Sequence, residues 1–166
     1  MKLRISPILA LTFTIVLTAC SSIDYEGPSG GPLSDQTGTV LILPFENATT
    51  NGAAGVALTE MTASSLSANG IQWVMGESPD VLETSKGGKF AYVLTGSVHE
   101  YEYKTDLDGD PAVGASASLQ SLKSGNVVWQ GSASATGFGI SSLSAAAQKV
   151  ADKLVSRMMM QGFFGL

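Results

Sequence analysis

Three consecutive stretches alternate in polarity with period two, and this pattern constrains the fold more than any other feature of the chain. From Tyr92 to Tyr103, residues Tyr92, Leu94, Gly96 and Val98 share one face, while Val93, Thr95, Ser97 and His99 share the other. From Ala112 to Leu122, the residues Val113, Ala115, Ala117 and Leu119 fall on one side. From Val127 to Thr136, the same holds for Val127, Trp129, Gly131, Ala133 and Ala135. Side chains of an extended chain point alternately up and down, so such runs are strands with one buried face. Consecutive runs joined by short turns predict an antiparallel meander. Asp108-Gly109 is a two-residue hairpin signal, because a type I′ turn needs positive φ at both central positions. Centring the turn there places Val98 opposite Leu119 and Glu102 opposite Ala115. Taking Ser124-Gly125-Asn126 as a three-residue loop pairs Lys123 with Val127 and Ala117 with Ala133. A slip of one residue would turn every buried side chain outward.

The remaining segments supply layers for this meander. Thr39–Phe45 is a continuous apolar run of strand length, which predicts a strand buried on both faces and stopped by Pro44. Glu46–Gly52 is rich in Asn and Thr and reads as a loop. Ala53 to Ala68 reads as a helix, with Ala54, Leu58, Met61 and Ser65 on one face and Asn69-Gly70 as its stop. Ile71–Met75 is a second short strand, and Pro79–Lys89 is read as a helical turn or short helix. A last helix runs from about Ser141 to Met160, capped by Ser141 or Ser142, with Leu143, Ala147, Val150, Leu154 and Met158 as its apolar stripe. Lys149, Lys153 and Arg157 lie towards its C-terminal end, where cations suit the helix dipole. The order β-α-β-(α)-β-β-β-α predicts a single α+β domain with helices packed on a largely antiparallel sheet.

The first residues point to a compartment. Lys2 and Arg4 precede the apolar run Ile8–Leu17, which is too short to span a bilayer and ends in Leu17-Thr-Ala-Cys20. This resembles the leader and lipobox of bacterial lipoproteins, in which cleavage before the cysteine is followed by its acylation. Residues 1–19 are therefore expected to be a signal peptide and Cys20 the lipidated residue. Ser21 follows it, which in enterobacterial lipoproteins resembles a protein sent to the outer membrane. Residues 20–37, rich in Ser, Gly and Pro, are expected to be a flexible tether with a reach of about 20–25 Å. Residues 38–166 form the periplasmic domain. Cys20 is the one cysteine, so the domain is expected to have no disulfide, catalytic thiol or cysteine-built zinc site. Losing Lys2 and Arg4 leaves 7 basic against 14 acidic side chains, a balance of −7 that does not suit nucleic acid.

Groups suited to catalysis are few. His99 is the single histidine and sits in a strand pattern among Tyr and Glu. There is no G-x-S-x-G elbow, P-loop or G-x-G-x-x-G. Asp106-Leu-Asp108-Gly-Asp110 suggests a calcium loop, but an EF-hand needs Gly at its sixth position and Glu at its twelfth. Counted from Asp106, those positions hold Pro111 and Ala117. A glycosidase pair of carboxylates would need a cleft that a hairpin tip does not offer. No enzyme activity, cofactor or metal is expected. The apolar face, however, gives way after Val98 to Glu100, Glu102 and Lys104. The hairpin is thus expected to run past the helix-covered core and to gather Glu100, Glu102, Asp106, Asp108 and Asp110 at its end. If copies met in a ring, those carboxylates would line a negative aperture. Met159, Met160, Phe163 and Phe164 exceed what the last helix needs, and are expected either to meet a membrane or another subunit or to fold back on the core. Trp73 and Trp129, in strand patterns, are expected in the core.

These residues resemble a known group. "LPFENATTNGAAGVALTEMTASSLSANG" is similar to the first strand, Asn/Thr loop and helix of the CsgG-like lipoproteins, whose fold is also that of TolB N-terminal domains. "YVLTGSVHEYEYKTDLDGDPAVGASASLQSLKSGNVVWQGSASATGFG" followed by "SLSAAAQKVADKL" most resembles the branch of that group serving Pel exopolysaccharide export. The resemblance covers about Thr39 to Met160. It implies a non-enzymatic homo-oligomeric ring on the periplasmic face of the outer membrane. It also implies two partners: a β-barrel porin with a periplasmic TPR scaffold, and a cationic exopolysaccharide. The alternative is a monomeric regulatory lipoprotein that activates a cell-wall enzyme, similar to the LpoB-type activators of related fold.

Overall fold

A computed structural model describes residues 38–78, 90–104, 109–137 and 141–162. Among them six strands form one mixed sheet: β1 (Val40–Ile42), β2 (Glu46–Asn47), β3 (Trp73–Met75), β4 (Tyr92–Tyr103), β5 (Pro111–Ser121) and β6 (Val127–Thr136). Their order is β3-β1-β4-β5-β6, with β2 also beside β4. β1 runs parallel to β3 and β4, and β2 parallel to β4. The long ladders β4–β5 and β5–β6 are antiparallel, as the period-two runs predict. Helices α1 (Ala54–Ala68) and α2 (Leu143–Met160) lie side by side on one face. The expected single-domain α+β architecture is therefore present. The expected helical turn at Pro79–Lys89 lies outside the described residues.

The main core fills the space between sheet and helices. Val40, Ile42, Leu94, Val98, Leu119 and Trp129 from the sheet meet Leu58, Leu66, Val150, Leu154 and Met158 from the helices. β1 is buried on both faces, because Leu41 and Leu43 join Val93 in a second, smaller cluster on the opposite side. Past Pro44 the chain is tied to α1. The Phe45 N–H donates to Thr59 Oγ1 at 2.9 Å, and that hydroxyl donates to the Gly55 carbonyl at 2.7 Å. Gly55 allows this approach, since a Cβ there would stand 2.5 Å from the Phe45 carbonyl oxygen. The following loop closes on itself: Asn47 Oδ1 accepts from the Thr49 N–H and hydroxyl, and Asn47 Nδ2 donates to the Asn51 carbonyl.

Both predicted registers are corrected. Val98 lies opposite Ala115 and Glu102 opposite Ala112, not Leu119 and Ala115. The Lys104 N–H donates to the Asp110 carbonyl at 2.8 Å, so the connection is a wider loop than a two-residue turn on Asp108-Gly109. In the second hairpin Ala117 lies opposite Gly131, and the turn occupies Leu122–Gly125, with Gly125 at φ 73° and its N–H donating to the Ser121 carbonyl. The displacement is four residues at Val98 and two at Ala117, both even, so the buried faces coincide there; at Glu102 it is three, so beyond Val98 they do not.

Up to Tyr101 the hairpin keeps a side chain in the core, further along β4 than the alternation places it. The ladder shifts between Val98 and Glu100, leaving His99 as an extra residue on β4. Such a bulge reverses which side chains face inward beyond it. Tyr101 is consequently buried opposite Val113. Tyr103 reaches α2, where its hydroxyl oxygen accepts the Leu143 N–H at 3.4 Å. A second shift at Leu119/Gln120 pairs Gln120 with Val127, so Val127 is exposed and Val128 packs on the core instead.

Candidate functional surface

The sheet face turned away from the helices is lined by small polar side chains. Ser97, Ser116 and Ser132 lie side by side across β4, β5 and β6, and Thr95 pairs with Ser118. They alternate with the buried Val98, Ala115, Ala117 and Ala133, so this polarity is the other half of the same period-two pattern. A shallow, open depression of about 200 Å³ is bounded by Glu46, Thr95, Ser97, Ser116, Ser118 and Gln130. His99, placed by the bulge, is exposed and has its Nε2 2.8 Å from Ser116 Oγ. Such a surface offers hydroxyls and an open face; it does not enclose a substrate.

Charge collects towards one end of this face. Glu100 pairs with Lys104 at 3.2 Å, both side chains being about a third to two-fifths exposed. A pair this accessible contributes roughly 0–1 kcal/mol. Glu102 is exposed beside them, and Asp110 is half-buried where the hairpin returns. Asp106 and Asp108 lie outside the described residues. Glu46 brings another carboxylate to the same face through the β2–β4 pairing, opposite Ser97. It was not expected from the sequence, where it reads as a loop residue after Pro44. Among the described residues no group of three or more His, Cys, Asp or Glu side chains could hold a metal ion.

The apolar expectations divide. Trp129 is buried, while Trp73 is half-buried with its Nε1 donating to Ser67 Oγ at 2.6 Å. Met158 is fully buried, Met159 packs against the core, and Met160 is 69% exposed. Phe163, Phe164 and Cys20 lie outside the described residues. Val74 and Met75 form a further exposed apolar pair on the edge strand β3, which the sequence presents only as part of a short strand. No helix among the described residues is long and apolar enough to cross a membrane.

A mixed sheet with two helices on one side and an open polar surface on the other defines the class: a two-layer α+β domain that presents a surface. No family model and no curated protein matches the chain. Solved structures do. PelC of Paraburkholderia phytofirmans, described as a dodecamer, superposes with a TM-score of 0.68 at 30% identity, over 81% of this chain and 96% of that one. A single-substitution variant of that dodecamer gives 0.70 at 31% identity, over 82% and 96%. Lipoprotein GNA1162 of Neisseria meningitidis shares the fold, with a TM-score of 0.56 at 20% identity over 74% of this chain and 99% of that one. The chain belongs to the PelC family.

Proposed function

We propose that this chain is a lipid-anchored subunit of a homo-oligomeric ring on the periplasmic face of the outer membrane, serving Pel exopolysaccharide export. The observation that carries this reading is the similarity, over nearly the full length of the relative, to a PelC that is a dodecamer. Cys20 carries the lipid, and residues 20–37 tether the domain near the bilayer. In a ring, the carboxylates Glu100, Glu102, Asp106, Asp108 and Asp110 of each copy repeat around a common axis. Repetition focuses a weak local charge into a field of several kT, which draws in a cationic polymer. That polymer passes on to a β-barrel porin with a periplasmic TPR scaffold. Met160, with Met159 before it and Phe163 and Phe164 after it, supplies an apolar contact to the membrane or to a neighbour.

Two measurements test this. Mass photometry of the purified protein in buffer and in detergent is expected to show a closed oligomer; a monomer at every concentration in both media would overturn the ring. Export with Asp106, Asp108 and Asp110 changed to Asn is expected to fall, together with the salt sensitivity of polycation binding. If both stay at the parent level, the carboxylates have no electrostatic role in passage.

A further inference from the structure

The chain contains two Asn-Gly pairs, Asn51-Gly52 and Asn69-Gly70, and the fold treats them in opposite ways. An asparagine followed by glycine is prone to lose its side-chain amide, because no Cβ shields the next backbone nitrogen from the asparagine carbonyl carbon. At the second pair both nitrogens that this reaction needs are tied. The Gly70 N–H donates to the Ser67 carbonyl at 3.0 Å, and Asn69 Nδ2 donates to the Ser65 carbonyl at 2.8 Å. At the first pair neither is tied. The Gly52 N–H and Asn51 Nδ2 make no hydrogen bond among the described residues, and Gly52 is exposed. Asn51 Oδ1 instead accepts from the Ala53 N–H at 3.1 Å, which folds the side chain back over the Gly52 peptide unit.

We propose that Asn51 is a self-modifying residue, converting to aspartate and isoaspartate in the folded protein. Hydroxide takes the Gly52 amide proton, and the nitrogen attacks Asn51 Cγ. The new C–N bond puts negative charge on Oδ1, where the Ala53 N–H stands as a donor and the N-terminus of α1 adds positive potential. As that charge returns, the Cγ–Nδ2 bond breaks, and the nitrogen leaves as ammonia with a proton from water, which regenerates the hydroxide. Water then opens the cyclic imide at one of its two carbonyls. One opening leaves aspartate on an unchanged main chain. The other leaves isoaspartate, whose main chain runs through the former side chain and is longer by a methylene group. The difference matters because the Asn51 carbonyl is the hub of its loop. It accepts from Asn47 Nδ2 at 2.7 Å, from the Ala54 N–H at 3.1 Å and from Thr49 Oγ1 at 3.4 Å. In isoaspartate this carbonyl leaves the main chain as a free carboxylate. β2, which carries Asn47, and the first turn of α1 then lose a common anchor.

Incubating the purified full-length chain at mildly alkaline pH and then digesting it at glutamate tests this, because residues 47–60 and 61–77 fall in separate peptides. The mass gain of amide to acid is expected in 47–60, assigned to Asn51 by fragmentation, at roughly tenfold or more the rate in 61–77. In urea the two peptides are expected to react alike. Gly52→Ala is a control that keeps the fold, since a Cβ there meets nothing within 4 Å and Gly52 is not among the positive-φ glycines. That variant is expected to melt with the parent while its Asn51 stays intact. Equal rates in the two peptides of the folded protein would overturn the proposal, as would an Asn51 that reacts in urea but not in the native chain. Isoaspartate methyltransferase with labelled S-adenosylmethionine is expected to label the aged parent and not Gly52→Ala; equal labelling would place the isoaspartate elsewhere and overturn it too. Once conversion is confirmed by mass, the aged parent is expected to melt below fresh protein, and Asn51→Asp, with its main chain unchanged, at or above it. Equal melting of aged and fresh protein would overturn the role of the Asn51 carbonyl as the hub.

Discussion

Several strand glycines hold the core at its working spacing. Gly96 is covered by the Phe45 ring: a Cβ there would stand 2.5 Å from Phe45 Cε2. Gly131 plays the same part beneath Trp129, with 2.7 Å to Cζ2. In both cases the missing side chain is replaced by an aromatic ring lying over the backbone, which offsets the weak strand propensity of glycine. Gly114 faces the open side, and a Cβ there meets Glu100 Cβ at an ordinary 3.5 Å. Gly96→Ala is therefore expected to destabilise the domain by about 1–3 kcal/mol through overpacking. Gly114→Ala is expected to stay within about 0.5 kcal/mol of the parent. Urea titration of the two variants checks this, and equal midpoints would show that the Phe45 ring yields freely. The alternation rule puts Gly96 and Gly131 on the apolar faces and Gly114, between Val113 and Ala115, on the opposite one; that a ring lies over the first two is visible only in the structure.

At the scale of elements, the sequence shows which runs are strands and which faces are buried, because alternation is local and survives any even displacement. It does not show register, since turn residues permit more than one loop length. Asp108-Gly109 looks like a two-residue turn, yet the Lys104–Asp110 hydrogen bond closes a wider loop. Bulges are harder still to read, since a bulged residue keeps its strand conformation. By alternation Glu100, Glu102 and Lys104 end the apolar face, whereas the extra residue His99 turns Tyr101 into the core and leaves Tyr103 half exposed, with its hydroxyl at α2. Parallel pairing of β1 was equally hidden, because it depends on where the chain returns after α1. The bulge gives a sharp contrast between two changes at one position. His99→Ala removes an exposed side chain and its contact to Ser116 Oγ, and is expected to cost less than about 1 kcal/mol. Deleting His99 restores a regular ladder, turning Tyr101 and Tyr103 to the solvent side and Glu100 and Glu102 towards the helices. Burying unpaired carboxylates is costly, so the deletion is expected to unfold the domain or lose its cooperative melt. A deletion variant as stable as the parent would mean that the bulge does not set the register.

The two layers act as one unit, and their shared tyrosines give the whole molecule an alkaline limit. Burial raises the Tyr92 phenol above its ordinary 10.0, and burial followed by the neighbouring Tyr103 raises Tyr101. Below pH 10 both states hold these protons, so the groups contribute no pH dependence there. Above it the unfolded chain releases protons that the fold retains, and stability declines as pH rises. Melting temperature is expected to fall beyond pH 10, less steeply in Tyr92→Phe; equal slopes would remove that phenol from the effect. The proposed ring would add a second property that one copy lacks, because several anchors joined in one body hold each subunit to a bilayer more firmly than its own anchor does. If Cys20 is the anchor, Cys20→Ser produced alone is expected to leave the membrane fraction. Co-produced with an excess of the parent chain, tagged Cys20→Ser subunits are expected to remain bound, because they share a ring with anchored neighbours. Retention of Cys20→Ser on its own would move the anchoring to the apolar C-terminus or to a partner. Release even in the presence of parent chains would mean that subunits do not stay together at the membrane, which the ring requires.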